Sequence, residues 1–161
     1  MSIVMERNPD AFRTLNEPDI RQHFLVQLNG FFKGMATGET FNYKGKTDIL
    51  LRYQGKNLFI AECKFWKSPK TVTDTINQIL KYVNWRDSKA AILFFNRDQK
   101  ISKLIKDIPD LVRSHSGYKK DLEFNSGYNG GFRYLFHHLG DENSLLYLTI
   151  LIFNIPSKNL T

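Results

Sequence analysis

The sequence predicts an α/β fold, a mixed β-sheet flanked by helices, and three observations carry that prediction. Hydrophobic spacing switches between helical and strand-like runs in the order helix, three strands, helix, strand, then a further helix and more strands. The run Ala90 to Phe95 (AAILFF) is wholly apolar, as in a strand covered on both faces. Short loops join the three early strands as hairpins, whereas a full helix separates the third strand from the fourth, the connection a parallel pair requires.

Each element follows from local chemistry. Asn16-Glu17-Pro18 is a helix start with Asn16 as cap and Pro18 in the first turn, and Ile20, Phe24, Leu28 and Phe31 follow at helical spacing. Asn29-Gly30 and Gly34 are expected to dissolve this helix after about four turns. Strands are predicted at Thr40 to Tyr43, Thr47 to Tyr53 and Leu58 to Trp66, separated by Lys44-Gly45-Lys46 and by Gln54-Gly55-Lys56-Asn57. Ser68-Pro69 opens a second helix whose apolar stripe is Val72, Ile76, Ile79, Leu80 and Val83. A third helical stretch carries Ile101, Leu104, Ile105, Ile108, Leu111 and Val112, with Pro109 expected to break or restart it. Strands at Leu122 to Phe124, Phe132 to Phe136 and Leu145 to Ile155 complete the pattern.

Composition bounds the function. The chain has 161 residues, 42% of them hydrophobic, with 13 Phe, which suits one folded domain over residues 1–161. A single cysteine, Cys63, excludes an internal disulfide and any four-cysteine metal cluster, and it points to a reducing, cytoplasmic compartment. Glu6 and Arg7 stand where an export signal needs apolar residues. The longest apolar run, Leu145 to Ile155, is far shorter than the roughly 20 residues that cross a bilayer, so no membrane partner is expected. Lys and Arg number 23 against 16 acids, a formal charge of +7 that suits a polyanionic partner and equally suits a solvated basic surface.

Chemistry enters where ionisable groups interrupt apolar strands, in Thr47-Asp48-Ile49-Leu50-Leu51 and Ile60-Ala61-Glu62-Cys63-Lys64-Phe65. A charge at such a position is costly unless paired or metal-bound. Alternation puts Glu62 and Lys64 on one face with Cys63 on the other. A three-residue loop, Gln54 to Lys56, sets Asp48 directly opposite Glu62, close enough for both carboxylates to hold one small hard cation. Mg²⁺ (or Mn²⁺) is the expected cofactor, because it binds through one or two carboxylates and substrate phosphate oxygens and acidifies bound water. Lys64 would orient the nucleophile and stabilise charge developing on a phosphodiester.

These residues resemble the PD-(D/E)xK nuclease superfamily, the restriction-endonuclease-like fold, whose core is helix, three strands, helix, strand. The resemblance covers residues 16–96, with an α/β extension over 97–161. It implies that Asp48 and Glu62 bind metal with the Cys63 backbone carbonyl, and that Lys64 is catalytic. RecB-like members carry a Gln and a Tyr four residues apart on the following helix, and Gln78 and Tyr82 stand at that spacing, one turn apart on one face. An additional acid on the first helix or strand is implied, for which Glu17 and Glu39 are candidates. Thr47 stands where a proline precedes the aspartate in the family pattern.

The implied function is a Mg²⁺-dependent DNA endonuclease, in a restriction, repair or anti-phage setting; the alternative is an inactive nucleic-acid-binding module of the same fold. RNA as substrate stays open. Double-strand cutting by one small site calls for a homodimer with two-fold symmetry, and a place within a larger multidomain protein also stays open. Lys46, Lys67 and Lys70 are candidate DNA contacts, with a solvated surface accounting for Lys67 and Lys70 equally well. Cys63 reads as a small core residue, Trp66 and Trp85 as packing residues, and His137-His138 as neighbours on opposite faces that share no metal.

Overall fold

Asn16 caps the first long helix as its sequence suggests: its side chain accepts from Asp19 N at 2.9 Å, and its own N–H donates to the Asp19 carboxylate at 3.2 Å. In the computed structural model, which describes residues 2–42 and 44–156, the elements run α1 (Ser2–Arg7), α2 (Glu17–Phe32), β1 (Ala36–Asn42), β2 (Gly45–Tyr53), β3 (Lys56–Phe65), α3 (Pro69–Tyr82), β4 (Lys89–Asn96), α4 (Ile101–Arg113), β5 (Tyr118–Leu122), β6 (Gly131–His138) and β7 (Asp141–Asn154). The strands form one mixed sheet in the order β1-β2-β3-β4-β7-β6-β5. The pairs β3/β4 and β4/β7 are parallel and all others antiparallel. This is an α/β fold with helices on both faces of the sheet.

Two cores result. On one face α3 and α4 bury Val72, Ile76, Leu104 and Ile108 against Leu50, Ile60, Ile92 and Phe94. On the other, Ile20 and Leu25 of α2 and Met5 of α1 pack on Ile49, Ala61, Phe95 and Phe153. The run Ala90 to Phe95 is buried throughout because β4 lies centrally between both cores. Among the described residues, no helix is long and apolar enough to cross a membrane.

Several expectations are corrected. The β2–β3 connection is a two-residue turn, not a three-residue loop: Gln54 and Gly55 have φ of 47° and 74°, as a type I′ turn requires, and Tyr53 pairs with Lys56. A bulge after Leu51 then shifts the ladder by one residue and restores the Ile49–Ala61 pairing. The first strand starts at Ala36 rather than Thr40, and Tyr43 lies outside the described residues. Gly30 does not end α2, which closes at Lys33 and Gly34, both left-handed.

Phe31, placed on the apolar stripe of α2, is 88% exposed. Pro109 sits buried inside an unbroken α4, whose Leu104, Ile108 and Val112 hold it to the sheet on both sides of the proline. The fifth strand spans Tyr118–Leu122 instead of Leu122 to Phe124. Trp66 packs edge-on against Phe94 as expected, but Trp85 is 70% exposed with the Arg86 guanidinium over its ring.

Candidate active site

The site forms where β2 leaves β3. Their ladder ends at Ile49–Ala61, and continuing its register by one residue brings Asp48 level with Glu62. Leu50 and Ile60 point into the α3–α4 core, so by alternation Asp48, Glu62 and Lys64 lie on that same face. At the bend, Glu39 of β1 lies across from Asp48 with φ of 46°, strained for a non-glycine residue. Beyond it the hairpin tip turns over α3, and Gly45 rests on the Tyr82 ring so closely that a Cβ there would come within 2.0 Å of it.

The parting strands leave backbone groups of β3 without strand partners, and side chains replace them. Cys63 N donates to Asp48 Oδ2 at 2.8 Å, Phe65 N to Glu17 Oε2 at 3.2 Å, and Thr47 Oγ1 donates to the Ala61 carbonyl at 3.0 Å. Two carboxylates are thereby fixed along one strand edge. Because the N–H and C=O of a strand residue face the same edge, the Cys63 carbonyl opens into this gap as well.

Arg21 NH1 donates to Asp48 Oδ1 and Arg21 NH2 to Glu39 Oε1, both at 2.8 Å. Lys64 Nζ lies 3.4 Å from Glu17 Oε1. Glu62 is fully buried; its Oε2 accepts from Gln78 Nε2 at 2.8 Å, and its Oε1 is buried with no hydrogen-bond partner.

The electrostatics follow from this packing. Burial, then the neighbouring charge of Asp48, pushes the Glu62 carboxyl up to about 8, against the pull of Lys64. Burial opposes the Lys64 ammonium, but Glu17, Asp48 and Glu62 outweigh it and hold its pKa above the ordinary lysine value. The Cys63 thiol is raised well above its usual range by burial and then by Asp48, which suits a core residue and not a nucleophile.

Of the residues singled out from sequence, Asp48, Glu62, Lys64, Gln78 and Glu17 come together. Glu39 stays exposed and pairs with Arg21. Tyr82 lies on Gly45, with no contact to either site acid among its described interactions. Lys67 shares a cleft of about 340 Å³ with Glu17, Lys64, Asp74 and Gln78, while Lys70 pairs with Asp74 at its rim. Lys46 is exposed on β2. Arg21 was missed, although it stands four residues after Glu17 on the same helical face, a signal readable in the sequence.

His138 is buried, with Nε2 on the Asp87 carbonyl, and His137 bonds the Ser116 carbonyl, so neither joins the site. Among the described residues, no group of three or more His, Cys, Asp or Glu side chains is arranged to hold a metal ion.

No family model, curated protein or solved structure matches this chain.

Proposed function

We propose that the chain is a Mg²⁺-dependent DNA endonuclease of the restriction-endonuclease-like fold, with Asp48 and Glu62 as its metal-binding acids. The observation that carries this reading is the unpartnered Oε1 of a fully buried Glu62 beside a second carboxylate. Native structures rarely leave such an atom unsatisfied, and a bound cation both pairs it and relieves the repulsion between the two acids. The donor set fits a small hard ion: Asp48, Glu62 and the Cys63 carbonyl are all oxygen ligands. Such an ion supplies Lewis acidity toward a phosphodiester and acidifies water.

The chain's own residues do the remaining work. Gln78 fixes Glu62 by one oxygen and leaves the other free, whereas Asp48 is held by Cys63 N–H on one oxygen and by Arg21 on the other, so Arg21 must yield its oxygen when an ion binds. Lys64 stays charged beside them, where it stabilises negative charge accumulating on phosphate oxygens. Lys67, across the cleft, suits contact with the phosphate backbone.

Cleavage of supercoiled plasmid in Mg²⁺ and its abolition by EDTA test the proposal. Asp48→Asn, Glu62→Gln and Lys64→Ala are each expected to lower the rate at least about a hundredfold; cleavage unchanged in any two of them overturns the assignment. A second reading, a nucleic-acid-binding module without chemistry, is favoured by the Arg21 guanidinium on Asp48 and by the packing of Tyr82 on Gly45. DNA binding with no cleavage in Mg²⁺ or Mn²⁺ selects it.

A further inference from the structure

The sheet face that α1 and α2 cover is closed only in part. Along β7, Leu146, Leu148, Ile150 and Ile152 face the α3–α4 core and are buried, while Leu145 and Tyr147 on the opposite face remain 40% and 46% exposed. Strand pairing sets exposed cations beside this region, across the buried Leu135 on one side. Tyr147 pairs with Lys89 of β4 on one side and with Leu135 of β6 on the other, and Leu135 pairs with Lys120 of β5. One step along, Thr149 pairs with Arg133. Between Phe59, Lys89, Arg133, Tyr147 and Thr149 lies a cleft of about 370 Å³.

The chemistry of this surface is one-sided. Lys89, Lys120 and Arg133 are exposed, and among the described residues none of them forms an ion pair. No acid occupies a strand position paired with them on this face. Cations spread over a flat sheet with Tyr147 and Phe59 between them match a polyanion carrying flat rings. Bases stack on exposed aromatic side chains whatever their sequence, and a row of Lys and Arg follows the phosphates. An intact duplex keeps its bases stacked inside and offers nothing to Tyr147. On the paired rows Thr149 is the non-aromatic side chain able to accept from a ribose 2′-hydroxyl, the group by which proteins select RNA, and its Oγ1 already accepts from Arg133 Nε at 3.4 Å.

We propose that this open half-face binds single-stranded DNA, with bases stacked on Tyr147 and lodged in the cleft at Phe59, and phosphates on Lys89, Lys120 and Arg133. The surface lies on the opposite side of the sheet from the carboxylates of Asp48 and Glu62 and does not depend on their chemistry.

Fluorescence anisotropy of labelled oligo-dT, measured in EDTA so that no cleavage occurs, tests it. Tyr147→Ala is expected to weaken binding about tenfold. Lys89→Glu combined with Arg133→Glu is expected to weaken it further and to flatten the salt dependence, by about 0.7 in log–log slope for each phosphate no longer neutralised. All three positions are at the surface, and an unchanged melting temperature confirms that the variants fold. Lys106→Glu, exposed on α4 across the sheet and outside both sites, should bind oligo-dT like wild type, which separates this surface from general loss of positive charge. The proposal is overturned if wild type does not bind oligo-dT, if both surface variants bind it as wild type does, or if oligo-rU or duplex DNA binds more tightly. It is overturned too if the face proves to be a dimer contact, seen in light scattering as a dimer that Tyr147→Glu dissociates.

Discussion

Two acids are buried among the described residues, Asp87 at 3% exposure and Glu62 at 0%, and their surroundings could hardly differ more. Asp87 accepts from Asn57 Nδ2 at 2.8 Å, from Asn42 Nδ2 at 3.0 Å and from Asn84 N at 2.8 Å, so both its oxygens are engaged. It ties β1, β3 and the end of α3 together. Glu62 receives one donor, Gln78, and its other oxygen has no donor to meet, only the Asp48 carboxylate with which it can share a proton. A buried carboxylate that serves the fold is saturated with donors, whereas one left short of partners lowers stability and is expected to have a use outside the fold.

Breaking the comparison at Asp87 has the largest expected effect. Asp87→Ala removes the acceptor of two carboxamide N–H groups and of a backbone N–H at one buried point, and should cost about 3 kcal/mol or more in chemical denaturation. Glu62→Gln removes a strained acid and should cost little.

Acidity sharpens the contrast further. The Glu62 carboxyl is raised in the folded state from 4.5 to about 8, so between those values the folded protein holds a proton that the unfolded chain has lost. Stability in EDTA should therefore fall as pH rises from about 4.5 to about 8, by a few kcal/mol, and level off above. Glu62→Gln should remove that slope; a slope that persists in the variant would mean that another group causes it.

The same proton competes with the metal. Mn²⁺ at a hundred times its Kd should stabilise wild type by about 2.7 kcal/mol at pH 8 and less at pH 6, and should leave Glu62→Gln unmoved in a thermal melt. Gly45→Ala, which drives a methyl into the Tyr82 ring, should cost about 1–3 kcal/mol and loosen the hairpin that carries Asp48. The smallest effect is expected for Gln78→Ala. Losing one hydrogen bond to Glu62 should cost about 1 kcal/mol at most, and calorimetry should show metal affinity reduced about tenfold as the carboxylate loses its fixed rotamer.

Much of the fold was legible because its signals are local. The apolar stripe of α3 (Val72, Ile76, Ile79, Leu80) and the unbroken run of β4 follow directly from periodicity, and Asn16 and Pro69 mark their helix starts. The errors arose where a distant partner decided the outcome. Pro109 is tolerated in α4 because the sheet holds the helix on both sides of it. Trp85 is exposed in the turn that follows α3, which no spacing rule reveals. Asp48 and Glu62 were brought opposite each other from sequence by a loop that does not form; the observed turn and bulge compensate each other and arrive at the same register.

By itself the sequence determined which residues carry charge within apolar strands, and the order of elements that surrounds them. Side-chain alternation and hydrophobic period are properties of neighbouring residues, so they need no tertiary information. Only the tertiary structure decided which oxygens are satisfied. It placed Arg21 on Asp48, Glu17 on the Phe65 amide and Gln78 on Glu62, while Tyr82 went to Gly45. Hydrogen-bond partners more than a turn apart are set by how the strands diverge and how helices pack across them, and no local preference encodes that.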